Sequence, residues 1–225
     1  MIRPYFADSQ AFFSEQRDML RFHVPKIKQL AFALLTSAPP MAKNFDDTLK
    51  AHTAFRKALL GKAVRPVTSK QDVITPGDTP GVLFGLQHAP EGMTRERVRQ
   101  LASAGLFSMA LAYSGPTEYG GGFESDAELT NEGKSLLDSM ATFGVQLDLS
   151  HAGHRTARGA LRYIAKHNLP LRPFASHSGC YAAYKHPRNF PDDVLQDIVA
   201  LGGYVGIPLL SPLVAPYNRD PMNAF

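Results

Sequence analysis

Val145-Gln146-Leu147-Asp148-Leu149-Ser150-His151, and one strand–helix–strand length further on Pro173-Phe174-Ala175-Ser176-His177, are short apolar runs that each end on a histidine. Both are continuous rather than alternating, as expected of parallel strands buried on both faces. Working outward from them, similar runs occur at Lys28–Leu35, Val82–Gln87, Phe107–Tyr113 and Tyr204–Leu210. Helical patterns fill the intervals. Phe45–Leu60 carries Leu49, Phe55 and Leu59 near one face, and His154–His167 forms another helix. Thr94 and Thr130 are N-caps for Arg95–Ala104 and Asn131–Phe143, with Gly105 and Gly144 as the stops. Pro191-Asp192-Asp193 opens a last helix that ends before Gly202-Gly203. The repeated βα order predicts an α/β fold with right-handed crossovers and a parallel sheet. Six strands are visible; Gly61–Thr79 and Gly115–Ala127 read as loops.

In such folds functional side chains sit at, or just after, the C-terminal ends of strands. That rule selects Gln87, His88, Tyr113, His151, His177 and the loop that ends in Arg188. Two imidazoles at equivalent positions on successive strands reach one mouth and could supply half of a four-coordinate metal site. The competing reading makes each a hydrogen-bonded structural histidine, and Arg188 a member of a surface ion pair. Asp148 reads as a partner of neighbouring backbone or of a histidine. His154 and His186 are loop-side candidates, whereas His23, His52 and His167 read as ordinary helix or surface residues.

Composition narrows the function. The only cysteine is Cys180, so a Cys-rich zinc site and an internal disulfide are excluded and any transition metal falls to His, Asp and Glu. Net charge is +4 with Lys and Arg scattered, and no basic stripe interleaved with aromatics is present, which argues against nucleic acid. No apolar run is long enough to span a bilayer. Met1–Asp8 lacks a basic segment followed by an apolar core, so the chain as written is expected to be cytoplasmic. A leader ahead of it would make the protein periplasmic or membrane-anchored.

The motifs also carry a resemblance. Leu129-Thr130-Asn131-Glu132-Gly133, Val145 to His151, Ser176-His177-Ser178, His186-Pro187-Arg188-Asn189-Phe190-Pro191-Asp192-Asp193 and Gly202-Gly203-Tyr204-Val205-Gly206 resemble, in order and spacing over roughly residues 80–210, the signatures of the membrane dipeptidase (renal dipeptidase) family. The resemblance implies a (β/α)₈ TIM barrel of the metal-dependent hydrolase type, with two zinc ions that cleave dipeptides and related amides. It implies that His151 and His177 bind zinc and that Arg188 holds the substrate carboxylate, a task suited to a guanidinium fork. Asn189 and Tyr113 are implied as weaker substrate contacts.

The sequence also departs from the family. Gly85-Leu86-Gln87-His88 puts Gln87 where a metal-bridging Glu is usual, a neutral and weaker ligand. Ala110-Leu111-Ala112-Tyr113-Ser114-Gly115 puts Tyr113 where many members have a histidine. No Asp-x-His-x-Asp appears on a first strand, and no late aspartate on a final one. Residues 1–225 are therefore expected to form a single (β/α) barrel domain lacking its first and last strands, with two, one or no zinc ions. The reading is a zinc-dependent dipeptidase or amidohydrolase acting on a small dipeptide or amide, with no catalytic acid or base assigned and a homodimer left open. The alternatives are a truncated, non-catalytic member that keeps the scaffold with at most one metal, and an unrelated barrel with only local likeness.

Overall fold

The computed structural model describes residues 7–11, 32–36, 44–60, 64–69, 71–72, 79–125, 127–208 and 213. Its main sheet is parallel and follows chain order. Strand β1 (Ala7–Ala11) pairs with β2 (Phe32–Thr36), β2 with β4 (Gly81–Leu86), β4 with β5 (Ser108–Met109) and β5 with β8 (Gln146–Leu147). A short β3 (Arg65–Pro66) adds to the start of β4. Beyond β8 the ladder continues through single bridges, Asp148 to Phe174 and Ala175 to Val205, both parallel. When every crossover has the same hand, serial order puts the connecting helices on one side of the sheet and lets the other side curl inward, as in a barrel. No pairing closes the sheet among the described residues.

Several expectations change, among them Gly61–Thr79, read as a loop, which contains β3. The sheet starts one strand earlier than the apolar pattern indicated, because β1 is Ala-Asp-Ser-Gln-Ala, a polar sequence held by pairing with β2 rather than by its own hydrophobicity. Gly115–Ala127 is also more than a loop. It contains the hairpin of β6 (Pro116–Thr117) and β7 (Gly120–Gly121), and Gly122 bridges to Ala152. A Cβ on Gly122 would lie 2.4 Å from the Tyr113 carbonyl oxygen, so only glycine permits this approach. The Tyr119 hydroxyl anchors the hairpin, donating to Pro90 O at 2.7 Å and accepting from Met93 N at 2.8 Å. The ends of the Lys28–Leu35 and Tyr204–Leu210 runs, and His23, lie outside the described residues.

The helices match their signals. They are α1 (Phe45–Leu59), α2 (Arg95–Ser103), α3 (Asn131–Phe143), α4 (His154–His167) and α5 (Asp192–Ala200). Thr94 and Thr130 cap α2 and α3 by accepting from Arg97 N and Gly133 N, and Gly144 ends α3 in the left-handed conformation. From α2 to α5 each helix buries one stripe: Val98 and Leu101, then Leu136, Leu137 and Met140, then Ala157, Ala160, Leu161 and Ile164, then Val194 and Ile198. These pack with Leu86, Met109, Leu147 and Ala175 into one core, each large side chain contributing about 1.5–3 kcal/mol. The core fixes the strand ends that carry the site.

His52, expected at an ordinary or surface position, is fully buried on α1. Its Nε2 lies 3.1 Å from the Ala104 carbonyl, where α2 ends. Burial, aided by Arg56 and opposed by the Ala104 hydrogen bond, lowers its pKa from 6.5 to about 4. The unfolded chain therefore protonates first as pH falls. The stability held by neutral His52 is complete above about pH 6.5 and lost down to about pH 4, at about 1.4 kcal/mol per pH unit inside that window. The urea midpoint should fall less steeply between these pH values in His52→Gln than in wild type, and equal slopes would show that His52 does not titrate this way.

Candidate metal centre

β8 runs into Asp148, whose backbone bridges to Phe174, so the two quoted stretches are neighbours and end together. His151 Nε2 and His177 Nε2 are 3.0 Å apart, with ring centroids 4.9 Å apart and planes at 68°. His151 adopts φ 75°, a left-handed backbone that is uncommon outside glycine and that turns its ring toward His177. Tyr113 stacks on the other side of His151, centroids 4.0 Å apart.

Under the pair lies a polar network. Asp148 is 4% exposed; its Oδ1 accepts from Ser150 N at 2.9 Å and Ser176 N at 3.1 Å, and its Oδ2 accepts from Ser176 Oγ at 2.6 Å. Ser176 Oγ also lies 2.8 Å from His177 Nδ1. Asp148 thus serves both backbone and, through Ser176, a histidine.

Electrostatics keep both rings neutral. Burial is the main cause for His151, whose pKa is pushed far down, with Arg188, His177 and His88 adding to it. His177 falls to about 4, through burial and Arg188 against the raising effect of Asp148. Neutral imidazoles are the form that ligates metal.

Arg188 sits beside them and is 6% exposed, not at the surface. Its Nη2 donates a long 3.4 Å bond to His177 O, its guanidinium carbon lies 5.5 Å from the centre of the Phe123 ring, and its buried Nη1 has no partner. Burial lowers its pKa to about 10, opposed by Asp148 and Tyr113, so it stays charged at neutral pH. None of the ion pairs among the described residues includes it.

The remaining candidates are placed as follows. Gln87 directly follows β4 and is buried, and no hydrogen bond joins it to either imidazole among the described residues. Asn189 is fully buried with its amide already engaged: Oδ1 accepts from Gly179 N, and Nδ2 donates to Tyr184 O and Leu213 O. Both donors of that amide are used, and together with Oδ1 they clamp the 178–190 loop. His154 bonds to Asn189 O at 2.8 Å, and His186 Nδ1 accepts from Arg188 N at 3.1 Å, so both hold the same loop. Sequence reasoning missed Phe123, Ser150 and Ser176. The two serines were legible only as the residues preceding each histidine.

Two nitrogens about 2.0–2.1 Å from a cation at a tetrahedral angle stand about 3.3 Å apart. The observed separation of 3.0 Å is close to that spacing, so the two Nε2 atoms could serve as two ligands of a single divalent ion. Among the described residues no group of three or more His, Cys, Asp or Glu gathers around a common point, so this pair is the candidate ligand set.

Comparisons with known proteins show the family and the fold. The model of the membrane dipeptidase family (peptidase family M19) matches residues 7–222. Dipeptidase verJ of Clonostachys rogersoniana is 37% identical over 91 residues, covering 40% of this chain and 22% of that protein. An uncharacterized dipeptidase of Schizosaccharomyces pombe is 30% identical over 100 residues, 44% of this chain and 23% of that protein. The matched stretches thus span less than a quarter of either relative. The fold is that of an amidohydrolase from Pseudomonas aeruginosa (TM-score 0.80, 23% identity, 93% of this chain, 63% of that one). It is likewise that of a metallopeptidase from Rhodobacter sphaeroides liganded with a phosphinate mimic of the dipeptide L-Ala-D-Ala (TM-score 0.75, 16% identity, 97% of this chain, 79% of that one). With the strand order, the paired imidazoles and a family match over nearly its whole length, the chain belongs to the membrane dipeptidase family.

Proposed function

We propose that this chain carries the metal- and carboxylate-binding part of a zinc-dependent dipeptidase or related amidohydrolase. The observation that supports this reading is Arg188: a charged guanidinium, 6% exposed, with one buried nitrogen unpartnered, beside two neutral imidazoles. Asp148 acts on this guanidinium without forming an ion pair with it, and a substrate carboxylate in direct contact would relieve the cost of burying the charge. A cleft of about 660 Å³ opens alongside, lined by His88, Glu91, Tyr113 and Glu118 among others, within the size range of small-ligand sites. Its two carboxylates suit the free ammonium of a dipeptide. His151 and His177 would hold the ion. When bound, such an ion polarises a carbonyl and makes hydroxide available near neutral pH. The protein's part is to fix the carboxylate at Arg188 and, through Tyr113, to keep the His151 ring in place. No helix among the described residues is long and apolar enough to cross a membrane.

The test is substrate preference. Zinc-supplied protein should hydrolyse alanyl-alanine with a kcat/KM at least ~10-fold above that for its C-terminal amide, since a charge-assisted pair contributes about 1.5–3 kcal/mol. Cleavage of neither compound, or equal cleavage of both, would count against the proposal.

A further inference from the structure

The Ser176 hydroxyl has one proton, and among the described residues three close polar groups face it. They are Asp148 Oδ2 at 2.6 Å, His177 Nδ1 at 2.8 Å and Ser150 Oγ at 3.1 Å. A carboxylate can only accept, and the bond to Asp148 is the shortest of the three, so the proton belongs there. Ser150 Oγ accepts from the backbone N of His177 at 3.0 Å, which leaves its own proton to point at Ser176. Toward His177, Ser176 can then only accept. His177 must carry its hydrogen on Nδ1 and present Nε2 as a bare lone pair. That assignment also accounts for His151. With the facing Nε2 of His177 bare, His151 Nε2 donates across the 3.0 Å gap, and His151 Nδ1 becomes the buried acceptor that has no partner.

We infer that Asp148 is a positioning residue: through Ser176 it sets the tautomer of His177, so that Nε2 is ready as a ligand before any metal arrives. Ser150 completes the relay by filling the remaining acceptor site of Ser176. Because Asp148 Oδ1 also ties Ser150 N to Ser176 N, one carboxylate both aligns the two strand ends and dictates where the imidazole proton sits. The proposal deepens the metal-centre reading and rests on it only for the use made of Nε2.

The experiment reads the tautomer directly in the metal-free protein, by two-bond ¹H–¹⁵N correlation of ¹⁵N-histidine-labelled chain. Wild type should show His177 protonated at Nδ1. In Asp148→Asn the oxygen can stay on the two backbone N–H groups while the new amide nitrogen donates to Ser176. The Ser176 proton then turns to His177 Nδ1, and the ring should switch to the Nε2–H form. Ser176→Thr should keep the wild-type tautomer and Ser176→Ala should lose it, which supplies the answer if Asp148→Asn does not fold. Zinc affinity should weaken about 10–100-fold in Asp148→Asn and Ser176→Ala and be retained in Ser176→Thr. An Nδ1–H His177 in both Asp148→Asn and Ser176→Ala overturns the inference. A switched tautomer with unchanged zinc affinity supports the relay and refutes His177 as a metal ligand.

Discussion

Arg188→Met should cut kcat/KM for a dipeptide with a free carboxylate by about 10²–10³-fold while moving the value for its C-terminal amide only a few-fold. Removing one member of a desolvated, hydrogen-bonded charge pair costs about 2–5 kcal/mol. Arg188 is placed to lose that much, because its guanidinium is nearly water-free and lies over Phe123. The amide lacks the charge that the arginine would meet, so it has little to lose. The same substitution should leave the urea midpoint unchanged or raised, since an unpaired buried cation destabilises the fold that contains it. A fall in midpoint, or equal losses on both substrates, would mean that Arg188 is a structural strut.

Loss of either imidazole should abolish tight zinc binding. His177→Ala and His151→Asn should each weaken affinity by about 10²-fold or more, because each removes one of the two imidazoles that face each other at the mouth. Asparagine is chosen at position 151 because it tolerates the left-handed backbone that His151 adopts at φ 75°. His151→Asn should therefore fold normally, and its zinc loss can be ascribed to the missing ring. Metal content and a competition titration with a chromophoric chelator measure both variants. Wild-type affinity in His151→Asn would show that the ion, if bound, sits elsewhere.

Much of this arrangement was readable in the chain before any coordinate. Apolar continuity located the strands within Val82–Gln87 and Val145–Ser150, and Thr94, Thr130 and Gly144 marked helix ends because caps are local chemistry. The His151–His177 pair was readable because equivalent strand ends converge in a parallel sheet. What escaped was set by distant partners. β1 is polar and exists through pairing with β2. His52 looked like a surface residue until α1 laid it against the end of α2. Asn189 sits in a motif beside Arg188, yet its amide bonds backbone groups of Gly179 and Tyr184 in its own loop and of distant Leu213. Phe123 reaches the guanidinium only because the hairpin folds back over the mouth.

The serial order of the sheet bears on how the chain acquires its shape during synthesis. Apart from the short β3, each strand of the main sheet pairs with the sheet strand made before it, so the new βα segments leaving the ribosome meet an edge that is already in place. Ring closures stay short, and the entropy lost at each step stays small. His177 and Arg188 follow β8 in the chain, so the paired strands of the main sheet are made before either side chain emerges.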